Sequence, residues 1–335
     1  MVFTIPRTAS HLLLKLLNLQ EQPSLHRHSN NLDGYLFLPA AVPRFRYSLP
    51  GKPIQDWTEE EKTALMTVMQ GSFDDWIDLI QEAEKHGKSS FIKEHLHWMV
   101  DPVAEARLYE NGQSGSSSAI QFQVNWKNSQ PSEAREEHNV TCLPDTFLLQ
   151  HIKPTFLIRH PALTFPSNLR TAIDNQGIST VMIEEKIQQW ECTYLWSLSM
   201  YKFYAQSTKQ FDRKSLVDGV EYPIVLDAQD LGNEALVKKY VKAIGLHEDR
   251  VRFTWKAADK EDLSGLGTME KRMKSTILAS SGIEQIKLNL GEPDMETLKE
   301  GWRREFGDVL SERLVKLVNG SIDAYETLKR VRLRL

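Results

Sequence analysis

Two cysteines in 335 residues, Cys142 and Cys192, are too few for a disulfide framework, and no C-x-x-C spacing offers a zinc site. A reducing, cytoplasmic setting is therefore expected. No apolar run approaches the roughly 18–20 residues that cross a bilayer, so no membrane partner is expected. The leucine-rich stretch Leu12–Leu19 is interrupted by Lys15 and Asn18, and no small-residue cleavage site follows it, which argues against a secretion signal. An excess of positive charge is missing too. The net charge of −4 excludes a nucleic-acid binder that works by bulk attraction. The phosphate loop G-x-x-x-x-G-K-[ST] is absent, and so is any internal repeat.

What remains is an ordinary globular composition, 41% hydrophobic and 26% charged, read as one domain over residues 1–335. Val2–Ile5 alternates as a strand does, Pro6 stops it, and Leu12, Leu13, Leu16 and Leu17 recur at helical spacing. Residues 20–54 read as an irregular excursion. A helix is expected from Trp57 to Lys85, opened by a capping box between Thr58 and Glu61. Ser89–Ile92 reads as a strand running into Lys93-Glu94-His95, and Thr155–Ile158 and Pro223–Leu226 read as two more. Val251–Thr254 is also strand-like. Further helices are expected over Glu184–Gln210, Glu234–Ile244, Met269–Ala279 and Met295–Asn319, the last with Phe306, Leu310, Leu314 and Leu317 on one face. The low-complexity stretch 111–138 reads as a mobile surface loop. Short apolar strands separated by helices imply an α/β fold of three layers, α/β/α, around a central, mostly parallel sheet. Ligands of such sheets bind at the carboxyl ends of the strands.

Three stretches follow strands. In Pro6-Arg7-Thr8-Ala9-Ser10-His11, a strand-to-helix turn offers backbone N–H groups and a positive helix end, which suits an anion. The plain alternative is a helix start capped by Thr or Ser. In Lys93-Glu94-His95, the cation and the imidazole are two residues apart and point the same way. Histidine is suited to take a proton near neutral pH, although a solvated surface pair is the plain alternative. His95 and His97 lack a third ligand for a metal. Third, Arg159 closes a strand and Ser167 lies in the helix that follows, a pair able to hold one phosphate.

In this order, on successive strands, these stretches resemble the PAPS-dependent (3′-phosphoadenosine-5′-phosphosulfate) sulfotransferases, especially the divergent sulfotransferase-like proteins of fungi. The family's P-K-S-G-T-T-W is similar to Pro6-Arg7-Thr8-Ala9-Ser10-His11-Leu12, and its K-T-H-L to Lys93-Glu94-His95-Leu96. Its R-N-P-x-D-x-x-x-S resembles Arg159–Ser167, its Y-E-D-L loosely resembles Asp227–Leu231, and its W-K-x-x-F resembles Trp302–Phe306. The resemblance implies a P-loop-like sulfotransferase fold and sulfuryl transfer from PAPS, with PAP as product and no metal. The acceptor it implies is a hydroxyl or amine of a small molecule, and it leaves room for a homodimer. It assigns general-base work to His95 and charge stabilisation to Arg7 and Lys93. It assigns nucleotide contacts to Arg7, Thr8, Ala9, Ser10, His11, Leu12, Arg159, Ser167 and Arg303. Trp255 is a candidate to stack on adenine, with core packing as its alternative.

Departures from the pattern keep other readings open. The family's R-K-G-x-x-G is replaced by Met295–Glu300, without the Arg-Lys-Gly and with added acid. Arg7 is planar and bidentate where the family has Lys, and Ala9 limits positive φ where the family has Gly. A PAPS-independent enzyme on this fold, doing acid–base chemistry such as elimination or cyclisation, is the second reading. A non-catalytic nucleotide-binding module is the third.

Overall fold

The computed structural model describes residues 1–26, 34–109, 122–126, 136, 138–207, 211–283 and 291–335. Four short strands lie side by side: β1 (Val2–Thr4), β2 (Lys93–His95), β3 (Thr155–Ile158) and β4 (Ile224–Asp227). Their order is β2-β1-β3-β4 and every pairing is parallel. Because successive side chains point to opposite faces, the sheet feeds two cores. Phe3, Phe156, Ile158 and Val225 face one core; Val2, Leu157, Ile224 and Leu226 face the other.

Helices α1 (Ser10–Leu17), α2 (Glu59–Lys85), α3 (Pro161–Gln176), α4 (Glu234–Ala243) and α5 (Met295–Arg330) cover both faces. α2, α3 and α5 pack on the first core, α1 and α4 on the second, which completes the three-layer α/β/α fold. Leu13, Leu16 and Leu17 of α1 are buried, each stabilising by about 1.5–3 kcal/mol. α2 starts as expected: Thr58 N–H donates to Glu61 (2.8 Å) and Glu61 N–H to Thr58 Oγ1 (3.2 Å). No helix among the described residues is long and apolar enough to cross a membrane.

Several elements differ from expectation. Strand β2 is Lys93–His95 rather than Ser89–Ile92, because Val2 pairs with Lys93 and Thr4 with His95. Residues 251–254 do not join the sheet; Thr254 makes only an isolated bridge to Gly282. The helix expected over 184–210 is two, Glu185–Glu191 and Leu195–Gln206. Thr193 Oγ1 accepts the Leu195 N–H (3.2 Å) between them and restarts the helix. The span 269–279 likewise divides into Thr268–Met273 and Ser275–Ala279. α5 continues past Asn319 and breaks at Gly307, whose φ of 79° is left-handed; its buried row runs Phe306, Leu310, Leu314, Val318, with Leu317 only half-buried. The excursion over 20–54 contains a short helix, Ala41–Arg46. Of the loop expected to be mobile over 111–138, Phe122 and Val124 are buried in the core; apart from 122–126, 136 and 138, that stretch lies outside the described residues.

Candidate active site

Strand order reverses between β1 and β3, where an open parallel sheet leaves a crevice at its carboxyl edge. The loop after β1 turns there on two left-handed residues, Arg7 (φ 68°) and Ala9 (φ 64°). That conformation costs a residue with a Cβ roughly 1–2 kcal/mol, so the alanine strains the turn without preventing it. Ala9 is the N-cap of α1 and supplies no side-chain hydrogen bond. Thr8 turns its hydroxyl onto the Ile5 carbonyl (3.0 Å), and Ser10 is buried as the first helical residue. The alternative of a Thr or Ser cap is therefore not made. With no side-chain cap on it, the positive end of α1 suits an anion.

Arg7 crosses the crevice. Its Nε donates to Ser167 Oγ (3.0 Å) and its Nη1 to the Met273 carbonyl (2.9 Å), while Arg159 Nη1 donates to the Arg7 carbonyl (3.2 Å). The residues expected at the two ends of the nucleotide thus meet: Arg7 from one end, Ser167 and Arg159 from the other. Burial pulls both guanidinium pKa values down, and the charge of Arg7 adds to the effect at Arg159. Arg159 is held by Tyr194, whose Oη accepts its N–H (2.8 Å) and donates to its carbonyl (2.5 Å). The break between the helices at 191 and 195 is what frees Tyr194 for this clamp. Two half-buried cations bonded, among the described residues, to a hydroxyl and to carbonyls are chemically suited to an anionic ligand.

His95 lies on the other side of β1. Thr4 Oγ1 donates its one proton to the Glu94 carbonyl (2.9 Å) and lies 2.7 Å from His95 Nδ1. Placing that proton on the Glu94 carbonyl assigns the ring hydrogen to Nδ1, which then donates to Thr4. Nε2 is then the lone-pair nitrogen, and it accepts from Tyr35 Oη at 3.1 Å. Burial, followed by the charges of His97, Lys93, His11 and Arg7, holds the His95 pKa well below the ordinary 6.5. It is therefore a neutral imidazole with a defined basic nitrogen. Lys93 is buried in the same strand, its Nζ 3.9 Å from the Tyr35 ring centroid. His11 reaches in from the loop, 6.2 Å edge-on to Tyr35. Glu94 faces the opposite side and accepts the Phe37 N–H (2.9 Å), and burial pushes its carboxyl well above the usual carboxylate range.

At the ends of β3 and β4 a cleft is lined by Arg159, His160, Asp227, Gln229, Glu292 and Lys329, among others. Asp227 accepts from Tyr325 Oη (2.7 Å) and Lys329 pairs with Glu292 (2.7 Å). Met295–Glu300 forms the first turns of α5, capped by Asp294, so no glycine cradle exists at that stretch. Trp255 packs half-buried on the second core, its indole N–H donating to Ser280 (3.3 Å). Arg303 is exposed on α5 and pairs with Asp308 (3.0 Å); Leu12 packs beside the second core. Among the described residues no group of His, Cys, Asp and Glu is gathered to hold a metal.

Sequence reasoning missed Thr4, Tyr35 and Tyr194. Thr4 carries a readable signal, since it is the last residue of a strand whose parallel partner ends in His95. Tyr35 has only a Gly-Tyr turn to mark it, and Tyr194 nothing local. Together the groups can take a proton at Nε2 beside a loop and cations suited to a phosphate or sulfate.

No family model matches the chain, and no solved structure matches it. The chain is 36% identical over 340 residues to the sulfotransferase ppzF of Metarhizium majus, covering 99% of this chain and 96% of that protein. It is 34% identical over 338 residues to the sulfotransferase ppzF of Metarhizium rileyi, covering 99% and 95%.

Proposed function

The chain belongs to the sulfotransferases, in their divergent fungal branch, and from that premise we propose that it transfers a sulfuryl group from PAPS to a hydroxyl or amine of a small acceptor, with His95 as general base. PAPS supplies a sulfuryl group activated as a mixed anhydride with phosphate. The chain supplies the rest. His95 Nε2 takes the acceptor proton, a contribution of about 10²–10⁴-fold, while Thr4 holds the opposite ring nitrogen. Arg7, Lys93 and the N–H groups at the start of α1 offset developing negative charge. Arg159 and Ser167 hold the nucleotide phosphates, and Trp255 serves as the adenine platform. The thiols of Cys142 and Cys192 are buried, which fits a reducing, cytoplasmic setting; secondary metabolism belongs to the same proposal. The observation that carries the reading is the buried His95, its Nδ1 2.7 Å from Thr4 Oγ1 and its Nε2 3.1 Å from Tyr35 Oη, beside a left-handed loop bearing Arg7.

A second reading draws support from the helix that replaces the glycine loop and from Asp227 and Glu292 in the cleft. It keeps His95 but not PAPS. Calorimetric titration with PAP separates the two. Binding weakened roughly 10–100-fold by Arg159→Ala, as expected for a lost charge-assisted hydrogen bond of about 1.5–3 kcal/mol, supports transfer from PAPS. Absence of binding, with turnover of a metabolite still dependent on His95, sinks it in favour of acid–base chemistry.

A further inference from the structure

The hydroxyl that rests on the base belongs to the protein itself. Tyr35 is not held there by a side-chain rotamer alone, because its backbone is pressed close to β2 on one side and bonded to it on the other. Gly34, at φ 77°, lies so close to the strand that a Cβ would sit 2.8 Å from the Lys93 backbone nitrogen. Three residues on, the Phe37 N–H is bonded to the Glu94 carboxylate at 2.9 Å. Between these points the phenol reaches His95 Nε2 (3.1 Å), and its ring packs edge-on against Trp98 (5.1 Å) and His11 (6.2 Å). Nε2 has one lone pair in the plane of the ring. A hydroxyl donating to it there, flanked by Lys93 and the anion loop, stands where an acceptor hydroxyl has to stand.

We infer that Tyr35 is an internal acceptor: with a phosphosulfate donor bound and no acceptor present, the enzyme sulfates its own Tyr35. The inference rests on the sulfotransferase reading above. In the step, His95 Nε2 takes the phenolic proton and a bond forms between Tyr35 Oη and sulfur. The bond from sulfur to the bridging oxygen of the donor's phosphate breaks, and PAP departs with that electron pair. Nothing is oxidised or reduced. The new sulfate ester faces Lys93, Arg7 and His11, which offset its charge, and it blocks Nε2. The modified enzyme is therefore closed to external acceptors. By contrast, a Tyr35 that merely fills space would accept no sulfuryl group.

The test uses the full chain incubated with PAPS alone, followed by intact-mass measurement and peptide mapping, beside calorimetric titration with PAP. The expected result is one added sulfuryl group on the peptide that carries Tyr35. It should vanish in Tyr35→Phe and in His95→Ala while both variants still bind PAP. Binding of PAP with no mass gain, or a gain on another residue, overturns the inference and leaves the transferase reading standing. No binding of PAP overturns both. A readout without donor checks the contact itself. In Tyr35→Phe the His95 ring, followed by NMR, should titrate at higher pH, because the lost O–H had favoured its neutral form; an unchanged titration overturns the inference.

Discussion

The two sides of the crevice are built by different rules. On the β1–β2 side each polar atom that touches the base is itself fixed in place. Thr4 holds one ring nitrogen, Tyr35 meets the other, and Gly34 and Phe37 pin Tyr35 to the strand. On the β1–β3 side Arg7 leans on the Ser167 hydroxyl and the Met273 carbonyl and Arg159 on the Arg7 carbonyl, and the cleft beyond them holds Asp227 and Glu292 as well as Lys329. The first side is preorganised for one proton transfer. The second is a cationic surface whose bonds to hydroxyl and carbonyl oxygens can be exchanged for bonds to an anion. On the proposed function, the proton-transfer side can stay rigid while the nucleotide side drifts, since function resides in the site and not in the fold.

The comparison predicts that the two sides can be broken separately. The largest effect is expected for His95→Ala: turnover falls by about 10²–10⁴-fold with PAP affinity unchanged, measured by steady-state kinetics and calorimetry. A parallel loss of PAP binding would mean that the sides are not independent. Thr4→Val, which keeps shape but removes the acceptor for Nδ1–H, is expected to lower kcat about tenfold, in line with a lost hydrogen bond of roughly 1 kcal/mol or slightly more. Acidification should reveal the buried base side as well. His95 and His97 have pKa values well below 6.5, chiefly from burial, so as pH falls through 6.5 the unfolded chain binds protons that the native chain does not. Stability must then fall with pH. Neither ring nitrogen of His97 has a hydrogen-bond partner among the described residues. Denaturant unfolding between pH 7.5 and 5.5 should show a shallower acid loss in His97→Leu than in the parent chain; equal slopes would contradict the burial of that imidazole.

The division also marks what the sequence could disclose. The parallel sheet, the three layers and the α2 capping box were legible, because each follows from periodicity or turn chemistry along the chain; the meeting of Arg7 with Ser167 and Arg159 was not, since their motifs had set them at opposite ends of the nucleotide. The strand expected from Ser89 and ending in Lys93-Glu94-His95 pairs only over that end, for a physical reason. Ser89–Ile92 has the apolar character of a buried strand, whereas Lys93-Glu94-His95 is buried in spite of its charge. Local rules fail where the site overrides them. Tyr35 and Tyr194 were illegible because their partners, His95 and Arg159, lie far along the chain. The single helix expected over 184–210 missed the break at Thr193, since a hydroxyl that restarts a helix looks in sequence like any mid-helix threonine.

The smallest expected effect sharpens the comparison most, because it touches the loop and nothing else. Ala9 sits at φ 64° as the N-cap of α1. Replacing it with glycine relieves a left-handed strain of about 1–2 kcal/mol and returns about 0.5–1 kcal/mol as extra freedom of the unfolded chain. The net expectation for Ala9→Gly is a gain of roughly 0.5–1 kcal/mol, readable as a rightward shift of the denaturation midpoint with unchanged slope. Turnover per bound nucleotide should not move, since Thr4, His95 and Tyr35 are bonded to one another and not to Ala9. PAP affinity should hold or rise, because the amides at the start of α1 no longer have to be kept in place against a Cβ. A variant less stable than the parent would show that residue 9 is not held left-handed. A variant that alters kcat without altering affinity would show that the base side and the anion side are coupled through the loop.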